Sequence, residues 1–126
     1  MRRVALPAAA ALCAVAAVAV PVAVADRPPT AVGVSEREWR IALYRTQVPT
    51  GRVRLNVRNY GEDGHDLAVR GRRGKLFGYL PELRPASSGR LTVRLRGPGR
   101  YVVFCSLEGH EARGMSAVLH VKRRAR

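Results

Sequence analysis

The chain is poor in several residue types at once. Among 126 residues it has two cysteines, three histidines, one tryptophan and 6% aromatics, and its 9 acids stand against 23 lysines and arginines. The length admits one compact domain and excludes a multi-domain enzyme. No C-x2-C pair is present, and the stretch His110-Glu-Ala-Arg-Gly114 fails the H-E-x-x-H helix at its last position, so the usual zinc patterns are missing. Helical periodicity never persists beyond about ten residues after position 25. Internal repeats and low-complexity segments are absent from that part of the chain as well.

The first 25 residues contain no acid and only Arg2 and Arg3 as bases. An uncharged Ala/Val run from Val4 to Ala25 follows, ending in Ala23-Val24-Ala25. A basic tip, an apolar middle and a small-residue end are the order of a secretory signal, so cleavage after residue 25 is expected. An uncleaved anchor is the competing expectation, because a run of this length can span a hydrocarbon core of about 30 Å. Either way the protein is expected to be secreted or held in the cell envelope or periplasm. The remaining 101 residues carry 21 bases and 9 acids, a formal charge of +12. They keep a single cysteine, Cys105, in a compartment where thiols usually pair. A lone thiol there needs a reason: a partner chain, burial, or a metal.

Residues 26 to 34, with Pro28, Pro29 and Gly33, read as a linker, and residues 35 to 126 as the folded domain. Alternation of period two runs through Trp39-Ile41-Leu43, Val53-Leu55-Val57 and Leu91-Val93-Leu95, interleaved with Arg40 and Ala42, Arg54 and Asn56, and Thr92 and Arg94. This pattern predicts half-buried strands. Turn residues separate them at Val48-Pro-Thr-Gly51, Gly61-Glu-Asp-Gly64, Gly71-Arg-Arg-Gly74, Ser87-Ser-Gly89 and Gly97-Pro-Gly99. Leu76 to Ala86, with Pro81 and Pro85, reads as an irregular excursion or one helical turn. The expected fold is all-β, a Greek-key sandwich or barrel of about seven to eight strands.

Chemistry concentrates in the last third. Cys105 closes one expected strand, Met115 opens the next, and His110 lies in the loop between them. His65 follows the turn Gly61 to Gly64 and begins another strand. One thiolate, two imidazoles and a thioether suit copper: soft sulfur favours Cu(I), imidazole suits both oxidation states, and His2Cys with a weak axial Met is an electron-transfer arrangement. Taken singly, Cys105 reads as a buried hydrophobe, His65 as a surface imidazole and Met115 as core filler. His120, on the final strand, reads as structural or exposed, and Glu108 and Glu111 as solvated loop charges. Phe104 alternates away from Cys105 and is expected to point outward.

The run from Gly99 to Met115, G-x-Y-x-x-x-C-S-x-x-G-H-x-x-x-G-M, resembles the cupredoxins, the small type 1 blue copper proteins, with similarity to plastocyanin, azurin and sulfocyanin-like members. Val48-Pro-x-Gly51, Val53 to Asn59 and Gly64-His65-Asp66 fall in the order this resemblance expects. The likeness covers roughly Glu38 to Lys122. It implies His65, Cys105 and His110 as equatorial ligands of one copper ion and Met115 as the axial one. It also implies a tie between Asp66 and Ser106, with aspartate standing where the family often has asparagine.

On that basis the expected function is one-electron transfer through Cu(I)/Cu(II), with no substrate chemistry and with His110 as the electron port. A copper carrier or storage protein of the same fold is the alternative; fast copper loss to a chelator would mark it. A thiol enzyme using Cys105 with His110 is disfavoured, because no resolving cysteine remains once the leader is gone. A multicopper oxidase would need many more histidines, and the binuclear copper domain of cytochrome oxidase two cysteines. The arginines are spread over several strands without stacking aromatics, which argues against nucleic acid. The expected partner is an acidic redox protein or an anionic envelope surface, met by a monomer; the bilayer itself would be entered only by an uncleaved leader.

Overall fold

The computed structural model describes residues 17–21 and 26–126. Positions 1–16 and 22–25 of the expected leader lie outside the described residues. Among the described residues, nine strands form two sheets: β1 (Thr30–Arg37), β2 (Arg40–Leu43), β3 (Gln47–Pro49), β4 (Gly51–Asn59), β5 (His65–Arg70), β6 (Leu76–Leu83), β7 (Ser88–Leu95), β8 (Gly99–Phe104) and β9 (Ser116–Lys122). One sheet has the order β2-β1-β4-β7 and the other β3-β9-β8-β5-β6. β1 runs parallel to β4 and β3 parallel to β9, while the remaining pairings are antiparallel. The all-β sandwich read from the alternation is therefore present, with nine strands.

The alternating residues meet between the sheets. Val53, Leu55 and Val57 of β4, Val93 and Leu95 of β7, and Val32 and Val34 of β1 face Leu67 and Val69 of β5, Val103 of β8, and Leu119 and Val121 of β9 in one buried cluster. Their period of two sends Arg52, Arg54 and Arg58 to the opposite face of β4. β5 is the exception, buried along nearly its whole length between β8 and β6.

Several local expectations are revised. The strand β1 begins at Thr30, inside the segment read as a linker, and buries Val32 and Val34. Leu76 to Leu83 is strand β6, neither excursion nor helix. It lies at the edge of its sheet, where Pro81 can do without a ladder hydrogen bond. Trp39, read as a strand residue, sits in the turn between β1 and β2 with φ +60°, and the alternation resumes at Ile41. Val48 and Pro49, half of an expected turn, join Gln47 in strand β3 and pair with His120 to Lys122 of β9.

One inward position carries a charge-bearing group. The phase of β1 that buries Val32 and Val34 also buries Glu36, and neither of its carboxyl oxygens has a hydrogen-bond partner. Burial, reinforced by the nearby charge of Asp66, pushes the Glu36 carboxyl up to about 8. Below its ordinary value of 4.5 both the folded and the unfolded chain hold this proton. Between there and about 8 only the folded chain holds it, so its contribution to stability is lost as pH rises across that window. The metal-free Glu36→Gln protein should therefore gain on wild type in melting temperature steadily from pH 5 to pH 8. A difference that stays constant over that range would show that Glu36 is not the protonated group.

Candidate metal centre

Strand register brings the chemistry to one place. β5 and β8 are antiparallel, with Ala68 opposite Phe104, so the start of β5 lies beside the end of β8. β8 and β9 are antiparallel, with Phe104 opposite Ser116, so the start of β9 joins the same end. His65 begins β5, Cys105 follows β8, and Met115 precedes β9. The loop between Cys105 and Met115 is fastened by its own backbone: Cys105 N–H donates to the Met115 carbonyl at 3.1 Å, and Met115 N–H to the His110 carbonyl at 3.1 Å. His110 N–H donates in turn to the Leu107 carbonyl at 3.0 Å. Gly114, with φ +123°, allows the loop to pass Trp39, whose carbonyl oxygen lies only 2.7 Å from where a Cβ would stand.

His65, Cys105 and His110 each offer a ligand atom, and these three atoms lie within 4.8 Å of one another. The two Nδ1 atoms are 3.2 Å apart, and Cys105 Sγ is 3.6 Å from His110 Nδ1. Metal bonds of about 2.0–2.3 Å to nitrogen and sulfur place ligand atoms at such separations around one ion. The donor set of thiolate and two imidazoles, with Met115 fully buried in the adjoining core, fits one type 1 copper ion. His65 and Cys105 are inaccessible to solvent, whereas His110 is half-buried. Burial pushes the Cys105 thiol up to about 11, against the opposing pull of N–H groups from Leu107 and Asp66. The metal-free thiol is thus protonated at neutral pH, and a bound metal would displace that proton.

Around the triangle, each imidazole and the thiol is held by a neighbour. Glu38, unnoticed in the sequence, accepts from His65 Nε2 at 2.9 Å and from the backbone N–H groups of Glu62 and Asp63, also at 2.9 Å. These bonds, the Asp63 and Glu62 amides foremost, hold its carboxyl down to about 2. A carboxylate of this kind can only accept, so the His65 Nε2 carries the hydrogen and Nδ1 turns its lone pair into the site. No local signal marks Glu38, because the β1–β2 turn meets His65 only through the assembled fold.

Asp66 is buried and accepts from the Ser106 N–H at 2.6 Å and from the Ser106 hydroxyl. The two residues expected to tie the ligand loops are thus in contact, with the aspartate accepting both bonds. Trp39 meets the His110 ring edge-on at 5.2 Å, and the Arg113 guanidinium stacks over the indole at 4.5 Å. Glu111 departs from its expected role as a solvated loop charge: it pairs through both oxygens with Arg70. Glu108 is exposed. Arg70 also covers Phe104, its guanidinium 4.3 Å from the ring, so Phe104 faces away from the core yet is shielded. His120 is exposed on β9, away from the cluster.

The structure is similar to solved copper proteins. Reduced auracyanin from Roseiflexus castenholzii superposes with a TM-score of 0.63 at 19% identity, over 76% of this chain and 99% of that one. Auracyanin A, described as a blue copper protein from Chloroflexus aurantiacus, gives 0.59 at 14% identity, over 75% of this chain and all of the other. A copper-containing nitrite reductase from Thermus scotoductus gives 0.61 at 16% identity, but only 32% of that enzyme is covered. No protein-family model and no curated protein sequence matches the chain. At these identities the comparisons establish the fold, which is that of the cupredoxins.

Two substitutions test the supports. Outer partners of metal-bound histidines typically contribute about 10–100-fold in metal affinity. Glu38→Ala should weaken copper binding by that order in chelator competition, while the far-ultraviolet circular dichroism stays that of a β-sandwich. Unchanged affinity would reduce Glu38 to a loop clamp. Asp66→Asn removes a buried negative charge beside the ligand loops and should raise the copper reduction potential; voltammetry showing no rise would discount that charge.

Proposed function

We propose that the chain carries one electron at a time between redox partners through one copper ion, which His65, Cys105, His110 and Met115 would hold. The observation that carries this reading is the triangle of one thiol and two imidazoles, all within 4.8 Å, at one end of a cupredoxin-fold sandwich. The copper would supply a single-electron couple, Cu(I)/Cu(II), with the thiolate as its strongest bond. The residues of this chain supply rigidity. Glu38 presents His65 in one tautomer, Asp66 and Ser106 hold the ligand loops together, and the backbone bonds among Cys105, His110 and Met115 keep the loop closed. A site preorganised in this way changes little between oxidation states, as fast electron exchange requires.

The half-buried His110 is the ligand nearest solvent, and its contact with Trp39 makes that edge the port for electrons. Export to the envelope or the exterior fits a chain that keeps one buried cysteine, and the anionic partner expected from its charge is taken up below. The likeness to a nitrite reductase extends over one third of that chain and assigns no substrate chemistry here. Retention of the metal through redox cycles separates the electron carrier from a copper carrier of the same fold.

The deciding experiment is a visible absorption spectrum of residues 26–126 with one equivalent of Cu(II), beside the same spectrum of Cys105→Ser. All nine strands and the whole core lie within that segment. An intense copper–thiolate band in the wild type, absent from C105S, is the expected result. A colourless wild-type product would remove the blue copper reading.

A further inference from the structure

Charge is divided unevenly over the molecule. Of the nine acids, Glu38, Glu62, Asp63 and Asp66 surround His65, Glu108 and Glu111 lie on the loop of His110, and Glu36 is buried within reach of Asp66. Glu82 lies against Gly64, beside His65. Asp26 alone is elsewhere, 3.2 Å from Arg52. The acids therefore gather at the metal end and leave the rest of the surface to arginine.

The outer face of the β2-β1-β4-β7 sheet shows this most strongly. The phase of β4 and β7 sends Arg52, Arg54, Arg58, Arg90 and Arg94 outward, with Asn56, Ser88 and Thr92 between them. Arg37 and Arg40 extend the patch onto β1 and β2, and no outward position of the four strands carries an acid. Arg52 and Arg94 stand directly opposite in the ladder, like charges whose repulsion Asp26 offsets only from the side of Arg52. The Nε atoms of Arg52 and Arg54 are buried without a hydrogen-bond partner. Arg54, Arg58 and Arg90, with Asn56 and Ser88, line an open groove of about 640 Å³.

We propose that this arginine face is a docking surface for an anionic lipid bilayer. Guanidinium groups match phosphate oxygens with paired hydrogen bonds, and each cation near such a surface adds to adsorption without needing a shaped partner. The centre of the face, Arg54, Asn56, Arg90 and Thr92, holds no apolar anchor, whereas a protein interface is organised around a desolvated apolar centre. Tyrosines stand only at its margin: Tyr60 between the guanidinium groups of Arg37 and Arg58, at 5.4 and 5.3 Å, and exposed Tyr44 laid over Gly33. Such rings suit the headgroup level of a bilayer. This inference rests on surface charge and is independent of the metal.

Cosedimentation of metal-free residues 26–126 with vesicles tests it. The protein should bind vesicles of mixed phosphatidylcholine and phosphatidylglycerol at low salt, be released at high salt, and ignore pure phosphatidylcholine. Each arginine removed from the face should weaken partitioning about fivefold, so Arg54→Gln/Arg90→Gln/Arg94→Gln should lose about a hundredfold. Arg72→Gln/Arg73→Gln/Arg100→Gln, which removes the same charge from exposed positions of the other sheet and its turn, should lose far less. If the face triple fails to fold, Asn56→Asp, a single charge placed at the centre of the face, should still cut binding severalfold. Equal losses in the two triples would reduce the effect to net charge and overturn the docking face. Absence of binding to anionic vesicles would overturn it in favour of an acidic protein partner.

Discussion

The antiparallel ladder joining β5, β8 and β9 is the constraint on which the rest depends. It sets the start of β5, the end of β8 and the start of β9 side by side, and those three termini carry His65, Cys105 and Met115. A one-residue slip in either pairing would turn each of these side chains to the opposite face of its sheet. The core on one face of this ladder makes such a slip expensive, because Leu67, Val69, Val103 and Leu119 would leave it together. Hydrophobic burial thereby fixes ligand positions without any metal having to assemble them. The loop that carries His110 is short and closed by its own backbone bonds, so it follows the strands.

Carboxylates supply the next layer of control, and three of them behave in three ways. Glu38 is held ionised by two backbone amides and an imidazole, and it fixes which nitrogen of His65 faces the site. Asp66 spends both oxygens on Ser106 and ties β5 to the loop after β8. Glu36 finds no partner and keeps its proton. Gathering acids at one end leaves most of the arginines of the β2-β1-β4-β7 face without counter-charges, Arg52 with its Asp26 contact excepted.

Much of the fold was legible because the alternation is nearly uninterrupted in β4 and β7, where valine or leucine takes turns with arginine, asparagine or threonine. It failed where a residue's ordinary meaning depends on its neighbours in space. Pro81 signals a break in an interior strand and none at an edge, and only the sheet order says that β6 is an edge. Trp39 extends an apparent period of two, yet belongs to a turn in a left-handed conformation. Glu111 looks like any loop acid until β5 brings Arg70 against it.

By itself the sequence determined the regularly alternating strands such as β4 and β7, their inward apolar residues, and the four residue types and spacings that make a soft copper-binding set. These are properties of neighbours along the chain, set by side-chain period and by turn chemistry. Tertiary structure alone decided that Glu38 reaches His65 across 27 positions, that Arg70 clasps Glu111 across 41, and that one sheet face collects arginines without an acid among its outward positions. Those outcomes depend on strand order and register, through which long-range burial selects partners that no local pattern can specify.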